Sequence, residues 1–360
     1  MKWFQWHPKA RVVGDDRALR AALAVPGRPF RIGGGGPQPR GEGMFETLTS
    51  GSSGAPRRIL RSMASWTHSF AINAGLFGVG PGCRVAVLGD LVHSLALYGA
   101  LEALHLGAEL SLLGGMRPDR QVRALRGASV IYATPAQLRL LIEAGWQASG
   151  LILVGGSKLD AGLRAAMAGA RITEFYGAAE ASFITLAGPD APANSVGSTY
   201  PGVEIEVRAG LIWVRSPYLF QGYAGQDLGA DVGGAIWDQG WLSVGEMGRL
   251  DGGYLYLSGR AGRMVTVADQ NVFPEQIEEF IGGLPGVTRV AILPRRDALR
   301  GAVMVAVIRG DTSAEAAILA ACRARLGPLI APRAVIWVLD WPVLASGKTD
   351  LVALAHQVGL

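Results

Sequence analysis

The sequence predicts an α/β protein: a large domain with parallel strands, a β-rich subdomain within it, and a small α+β domain at the end. Three observations predict it. Between residues 58 and 175, short apolar runs alternate with stretches of helical spacing, the order expected when strands are joined by covering helices. From 197 to 256 the helical spacing vanishes, and strand-like runs are punctuated by Gly, Pro and Asp. Beyond 260 a compact alternation of helix and strand resumes. A length of 360 residues suits two domains, and 49% apolar residues are enough to give each a core.

Taken in order, residues 1–47 form a short lead, with a helix over 16–25 and a Gly/Pro-rich loop over 31–43. A strand follows at 58–61, then a helix at 65–77 whose apolar positions include Trp66, Phe70 and Leu76. The run Arg84-Val85-Ala86-Val87-Leu88 ends at Gly89-Asp90 and has the profile of a buried strand. Further strands are expected at 108–113, 129–133, 151–154 and 171–175, with helices at 91–106, 119–126, 135–144 and 161–168. The β-rich part offers strands at 203–208, 211–215 and 254–257. The last unit reads as helix 274–281, strands 289–293 and 302–308, helix 313–325 and strand 334–339. No internal repeat is present.

Composition excludes several classes. The net charge is +5 without any basic stripe interleaved with aromatics, which argues against nucleic acid. No run of about 20 apolar residues suggests a membrane span. The first residues lack the apolar core and cleavage site of a secretory signal. Cys83 and Cys322 make neither a disulfide framework nor a metal spacing. The chain reads as a soluble cytoplasmic protein. Lysine is scarce: of 34 Lys and Arg, only Lys2, Lys9, Lys158 and Lys348 are lysines. A retained lysine is therefore informative.

Several stretches carry chemistry. In Leu48-Thr49-Ser50-Gly51-Ser52-Ser53-Gly54-Ala55-Pro56-Arg57, hydroxyls and glycines alternate before a basic residue. Glycines permit close backbone approach, and N–H groups and hydroxyls surround phosphate oxygens. The spacing is not that of a Walker loop. Val154-Gly155-Gly156-Ser157 is a tight strand-to-helix turn. Glu174-Phe175-Tyr176-Gly177-Ala178-Ala179-Glu180 falls at the carboxyl end of a strand, where ligands bind in open α/β sheets. Alone, it is a strand ending in a Gly turn with a solvated Glu. Gly240-Trp241-Leu242-Ser243-Val244-Gly245-Glu246, Gly259-Arg260 and Ser346-Gly347-Lys348-Thr349-Asp350 follow. His93 opens a helix, where a lone His is ordinarily structural. No G-x-S-x-G elbow occurs.

In this order and spacing, the stretches resemble the motifs of the adenylate-forming superfamily: acyl-CoA synthetases, luciferases and peptide-synthetase adenylation domains. The first resembles its phosphate loop T-S-G-S-[ST]-G-x-P-[KR], which implies that Thr49, Ser50, Gly51, Ser52, Ser53 and Gly54 cradle phosphates with Arg57 as the cation. By the same resemblance Gly155, Gly156 and Ser157 pack on adenine. Phe175, Tyr176, Gly177, Ala178 and Ala179 stand in the Y-G-x-T-E region, with Tyr176 stacked on adenine and Glu180 holding Mg²⁺. Ala179 replaces the family threonine. Glu246 replaces the ribose-binding Asp, Arg260 lies near the ribose, and Lys348 reaches the acyl carboxylate and α-phosphate. His93 matches an aromatic or His position near the acyl pocket.

The resemblance also implies an arrangement: a large domain 1–259, a hinge 260–263 and a small mobile domain 264–360. The implied reaction consumes a carboxylic acid and MgATP, forms acyl-AMP and pyrophosphate, then passes the acyl group to a thiol. That thiol is coenzyme A or the phosphopantetheine of an acyl-carrier protein. Departures cluster after the hinge, where Arg263 replaces Asp, Thr266 the Lys, Asp269 the Gly and Gln276 the first Glu, while Val265, Val272, Pro274, Ile277 and Glu278 fit. These changes, with Ala179, keep open a silent relative that only binds nucleotide or a partner. The family usually carries a whole subdomain ahead of the phosphate loop, where this chain has 48 residues. The acyl pocket is then open, completed in a homodimer, or shaped for a bulky or carrier-bound acid.

Overall fold

A computed structural model describes residues 2–49, 57–225, 235–267, 270–298, 300–344 and 348–360. Its centre is the expected parallel sheet. Strands Arg11–Val13, Glu109–Leu112, Arg84–Val87, Val130–Ala133, Leu151–Gly155 and Arg171–Ala178 lie side by side in that order, all parallel. Successive strand residues point to opposite faces, and here both faces are apolar cores. Val85, Val87, Val130, Tyr132, Leu151 and Leu153 enter one core, while Ala86, Ile131, Ile152 and Val154 enter the other. That is why these strands read as unbroken apolar runs. Each Val, Leu or Ile buried this way contributes about 1.5–3 kcal/mol.

Local chemistry fixes the covering helices. Ser62 caps helix Met63–Phe77 by accepting from Ser65 N. Thr134 and Gln137 form a reciprocal capping box at the start of Pro135–Glu143. No described helix is long and apolar enough to cross a membrane.

Three regions depart from expectation. The lead belongs to the core: Arg11–Val13 edges the large sheet, and Phe4, Leu19, Phe30 and Phe45 are buried. Its Gly/Pro-rich loop wraps around a guanidinium, with Arg31 donating to the carbonyls of Gly33, Gly36 and Pro37 and pairing with buried Glu46 at 3.0 Å. Second, the helix expected from 91 starts only at Ser94. Residues 90–93 form a turn closed by His93 N donating to Asp90 O, and Leu48 N donating to Val92 O with the Leu48–His93 bridge ties that turn to the end of strand Met44–Leu48. Third, strand Arg171–Ala178 runs through the Gly where a turn was expected, and turns only at Ala179 into an antiparallel partner, Ser182–Ala187.

Through that hairpin the parallel sheet passes without a break into the β-rich part. Ser198–Thr199, Tyr254–Arg260, Glu246–Asp251, Leu211–Arg215, Trp241–Ser243 and Ile236–Asp238 extend it in that order. The last unit is a three-stranded sheet of Val287–Asp297, Gly301–Gly310 and Ala334–Trp337. Helices Pro274–Gly282 and Glu315–Ile330 share its apolar core through Ile277, Ile281, Ile318 and Cys322. The second helix runs past the expected end and is kinked at Gly327 before Pro328. A final helix, Leu351–Gln357, was not expected from the sequence; Asp350 caps it.

Candidate active site

Glu180 sits in the short loop of the hairpin between Arg171–Ala178 and Ser182–Ala187. The loop closes with Ala181 N donating to Ala178 O at 3.0 Å. Gly177 is required there: a Cβ would lie 2.1 Å from the carbonyl oxygen of Ser182 across the hairpin. Glu180 is 9% exposed and held at two points. Its carbonyl accepts from Phe220 N at 2.7 Å, and its Oε1 accepts from the Tyr223 hydroxyl at 2.9 Å. The same Tyr223 ring carries the Arg57 guanidinium 4.6 Å from its centre. Arg57 is thereby brought beside Glu180.

Arg57 also pairs with Thr49; these are the two described residues that flank the Ser/Gly-rich stretch. Thr49 N donates to Arg57 O at 2.8 Å, and Arg57 N donates to Thr49 Oγ1 at 2.9 Å. Ser50, Gly51, Ser52, Ser53 and Gly54 lie outside the described residues. His93 sits at the start of the helix beside that pair, and Thr47 Oγ1 and Ser94 Oγ are 2.8 Å apart across the junction.

A second cluster gathers residues distant in sequence. Glu246 pairs with Arg260 across adjacent strands, Arg260 Nε donating to Glu246 Oε1 at 2.9 Å. Burial holds the Glu246 carboxyl above the usual range, against the opposing pull of Arg260 and of Lys348. Burial, and next the repulsion of Arg260, hold the Lys348 ammonium below the usual lysine range, while Glu246 and Glu180 pull it back up. Lys348 therefore feels both carboxylates at once. The Tyr176 hydroxyl is buried and has no hydrogen-bond partner among the described residues, in electrostatic reach of Glu246, Arg260 and Glu180. A buried hydroxyl among such charges suits a polar ligand. Gly259 serves the packing: a Cβ there would meet Glu275 Oε2 at 2.6 Å and the Phe273 ring at 2.9 Å.

The backbone of Lys348 is pinned, although Ser346 and Gly347 lie outside the described residues. Leu344 N donates to Lys348 O at 2.8 Å, and Trp341 Nε1 donates to Thr349 Oγ1 at 3.0 Å. Asp269 also lies outside the described residues. Arg263, at the expected hinge, donates to Glu278 at 2.7 Å and to Glu275 at 3.2 Å. It grips the following helix.

The Gly155–Ser157 turn lies next to the strand that carries Tyr176. Gly155 is buried under the Phe175 ring, which a Cβ would approach to 2.4 Å. Phe175 in turn packs edge-on against Phe183. This pair packs together at the end of the sheet, with half-buried Phe175 next to half-buried Tyr176 and with Gly156 and Ser157 exposed. Ala178 and Ala179, also half-buried, shape the hairpin that carries Glu180.

The single carboxylate fits Mg²⁺. Among the described residues no group of three or more His, Cys, Asp or Glu forms a cage. Mg²⁺ is commonly held by one or two carboxylates with substrate phosphates and water. Sequence reasoning missed Tyr223, which lies 43 residues beyond Glu180 and carries no local signal. It also missed Lys158, whose ammonium meets Glu279 of the last unit; its rarity was the one available hint.

Comparison with known proteins supplies a family. Residues 41–224, just over half of the chain, match the AMP-binding enzyme family, and residues 276–348 match the AMP-binding enzyme C-terminal domain. The uncharacterised acyl-CoA ligase YhfT of Bacillus subtilis is 32% identical over 324 residues, covering 84% of this chain and 66% of that one. The putative long chain fatty acid-CoA ligase VraA of Staphylococcus haemolyticus is 28% identical over 324 residues, covering 84% and 67%. This chain thus spans about two thirds of the length of these relatives. ATP-bound MatB from Rhodopseudomonas palustris shares the fold, with a TM-score of 0.77 at 24% identity, over 87% of this chain and 67% of that one.

Proposed function

From the premise that the chain belongs to the AMP-binding enzyme family, we propose that it activates a carboxylic acid with MgATP, releasing pyrophosphate and forming acyl-AMP. A thiol, coenzyme A in the first instance, then displaces AMP. The observation that carries this reading is the convergence of Lys348 with Glu246, Arg260 and Glu180, beside the buried Tyr176 hydroxyl, which has no partner among the described residues. The names of YhfT and VraA as CoA ligases favour coenzyme A as the acceptor. A carrier protein's phosphopantetheine presents the same thiol, and the two are separated by assay.

Each residue has a part in this reading. Attack of the acid on the α-phosphorus places negative charge on the phosphate oxygens, and fixed cations stabilise it without reorganising. Lys348 provides one such cation between the acid and the α-phosphate, and Arg57 provides another beside the Ser/Gly-rich stretch. Glu180 holds Mg²⁺, which supplies charge neutralisation of the phosphates when bound. Glu246 receives the ribose hydroxyls, with Arg260 holding it in place, and Tyr176 lies against the adenine. The large unit 1–259 and the small unit 264–360 would move about 260–263, and the Arg263 grip on Glu275 and Glu278 makes the segment after the hinge travel with the small unit.

Incubation with ATP, hydroxylamine and a panel of carboxylic acids tests the proposal. Acid-dependent hydroxamate and pyrophosphate are expected. Nucleotide binding without pyrophosphate release from any acid would instead identify a silent relative.

A further inference from the structure

Beneath Glu180 lies an arginine that the reaction above does not use. Arg61 comes from strand Arg58–Ser62, is fully buried, and meets no carboxylate at ion-pair distance among the described residues. Its Nη1 donates to the Tyr218 carbonyl at 2.8 Å and its Nη2 to the Ser182 hydroxyl at 2.6 Å. The guanidinium stands 5.6 Å from the centre of the Trp66 ring, and Nε has no partner among the described residues. A buried cation held only by neutral acceptors is costly. Burial draws its pKa down to about 9, and the leading charge opposing that fall is Glu180.

The two acceptors belong to the segments that hold Glu180. Ser182 ends the loop that carries Glu180 and adopts φ +61, a left-handed conformation uncommon outside glycine. Its hydroxyl also accepts from Trp66 Nε1 at 3.0 Å. Tyr218 begins the segment whose Phe220 N–H holds the Glu180 carbonyl and whose Tyr223 hydroxyl holds its carboxylate. One guanidinium therefore joins both segments that fix Glu180.

We propose that Arg61 is a positioning residue for the Glu180 carboxylate, acting by bridging the Ser182 hydroxyl and the Tyr218 carbonyl. The proposal rests on the reading that Glu180 serves a metal–nucleotide complex. Partners that orient a metal ligand typically carry 10–100-fold in metal affinity.

The test uses the full chain and Mn²⁺ as the probe, followed by electron paramagnetic resonance with α,β-methylene-ATP present. Arg61→Met should weaken Mn²⁺ binding by about 10-fold. It should raise the half-saturating Mg²⁺ of pyrophosphate exchange likewise, with the acid KM within about 2-fold of wild type. A general loss of structure would not divide the parameters that way. Ser182→Gly keeps the left-handed backbone without strain but removes the hydroxyl, and should weaken Mn²⁺ binding by about 3-fold. The double variant should bind no more weakly than Arg61→Met, because both changes cut one link. Unchanged Mn²⁺ affinity in folded Arg61→Met overturns the proposal. If that variant is insoluble, unchanged affinity in Ser182→Gly overturns it instead. Wild-type protein that binds no Mn²⁺–nucleotide overturns the functional reading itself, a different and recognisable result.

Discussion

Replacing Lys348 with alanine should separate the two half-reactions. Lys348 is half-buried, in a position where Arg260 repels its ammonium and Glu246 and Glu180 attract it. Its backbone is fixed by the Leu344–Lys348 hydrogen bond and the Trp341–Thr349 contact, so little reorganisation is needed to use it. Removing one such preorganised group from developing charge costs about 2.7–4 kcal/mol, or 10²–10³ in rate. Two carboxylates would also lose a counter-charge, which adds to the loss. Acid-dependent ATP–pyrophosphate exchange in Lys348→Ala should therefore fall by at least about 100-fold. Thioester formation from supplied acyl-AMP should stay within about 3-fold, since that step does not place charge on the α-phosphate. The pH profile provides a second readout. A lysine whose pKa is depressed loses its proton as pH rises through a value below 10.5, so exchange should fall on the alkaline side. Normal exchange by Lys348→Ala would refute the assigned role.

Other outcomes follow from single contacts. Glu180→Gln removes a charged ligand at a cost of about 1.5–3 kcal/mol, so metal-dependent turnover should drop at least about 10-fold; an unchanged Mg²⁺ titration counts against the assignment. Gly177→Ala drives a Cβ to 2.1 Å from Ser182 O, and should lower unfolding stability by about 1–3 kcal/mol or more, as read by urea titration. Glu102 is fully buried, accepts from Asn73 Nδ2 at 2.8 Å and from the Tyr132 hydroxyl, and burial raises its pKa from 4.5 to about 7. The folded state keeps this proton while the unfolded chain releases it, so stability should decline as pH rises from about 4.5 through 7, by up to about 3 kcal/mol. Glu102→Gln should flatten that decline in urea unfolding at pH 5.5 and 8; an identical slope in the variant removes Glu102 as its source.

Much of the parallel core was legible because its signal is local. Val85–Val87 and Ile131–Ala133 are apolar on both faces since each faces a core on either side, and Thr134-Pro135 announces a helix by its own capping chemistry. The motif residues were legible for a similar reason: Gly177, Glu180, Glu246, Gly259, Arg260 and Lys348 occur in recognisable runs. The two- and three-residue strands Gly222–Tyr223 and Ile236–Asp238 were not, because nothing but a partner's register defines them.

What the amino-acid order determined, then, was the element sequence of the parallel core and the residue types at the candidate site. What only the tertiary structure decided was which of those residues face open space and what holds them. Gly155 and Phe175 were drawn into packing against each other, whereas the Tyr176 hydroxyl was left buried with no partner among the described residues. Tyr223 and Arg61 became supports of Glu180 from 43 residues downstream and from a strand far upstream. Contacts of this kind join segments whose separation along the chain carries no periodicity, so no local pattern records them; they exist only once the sheet has brought its strands into register.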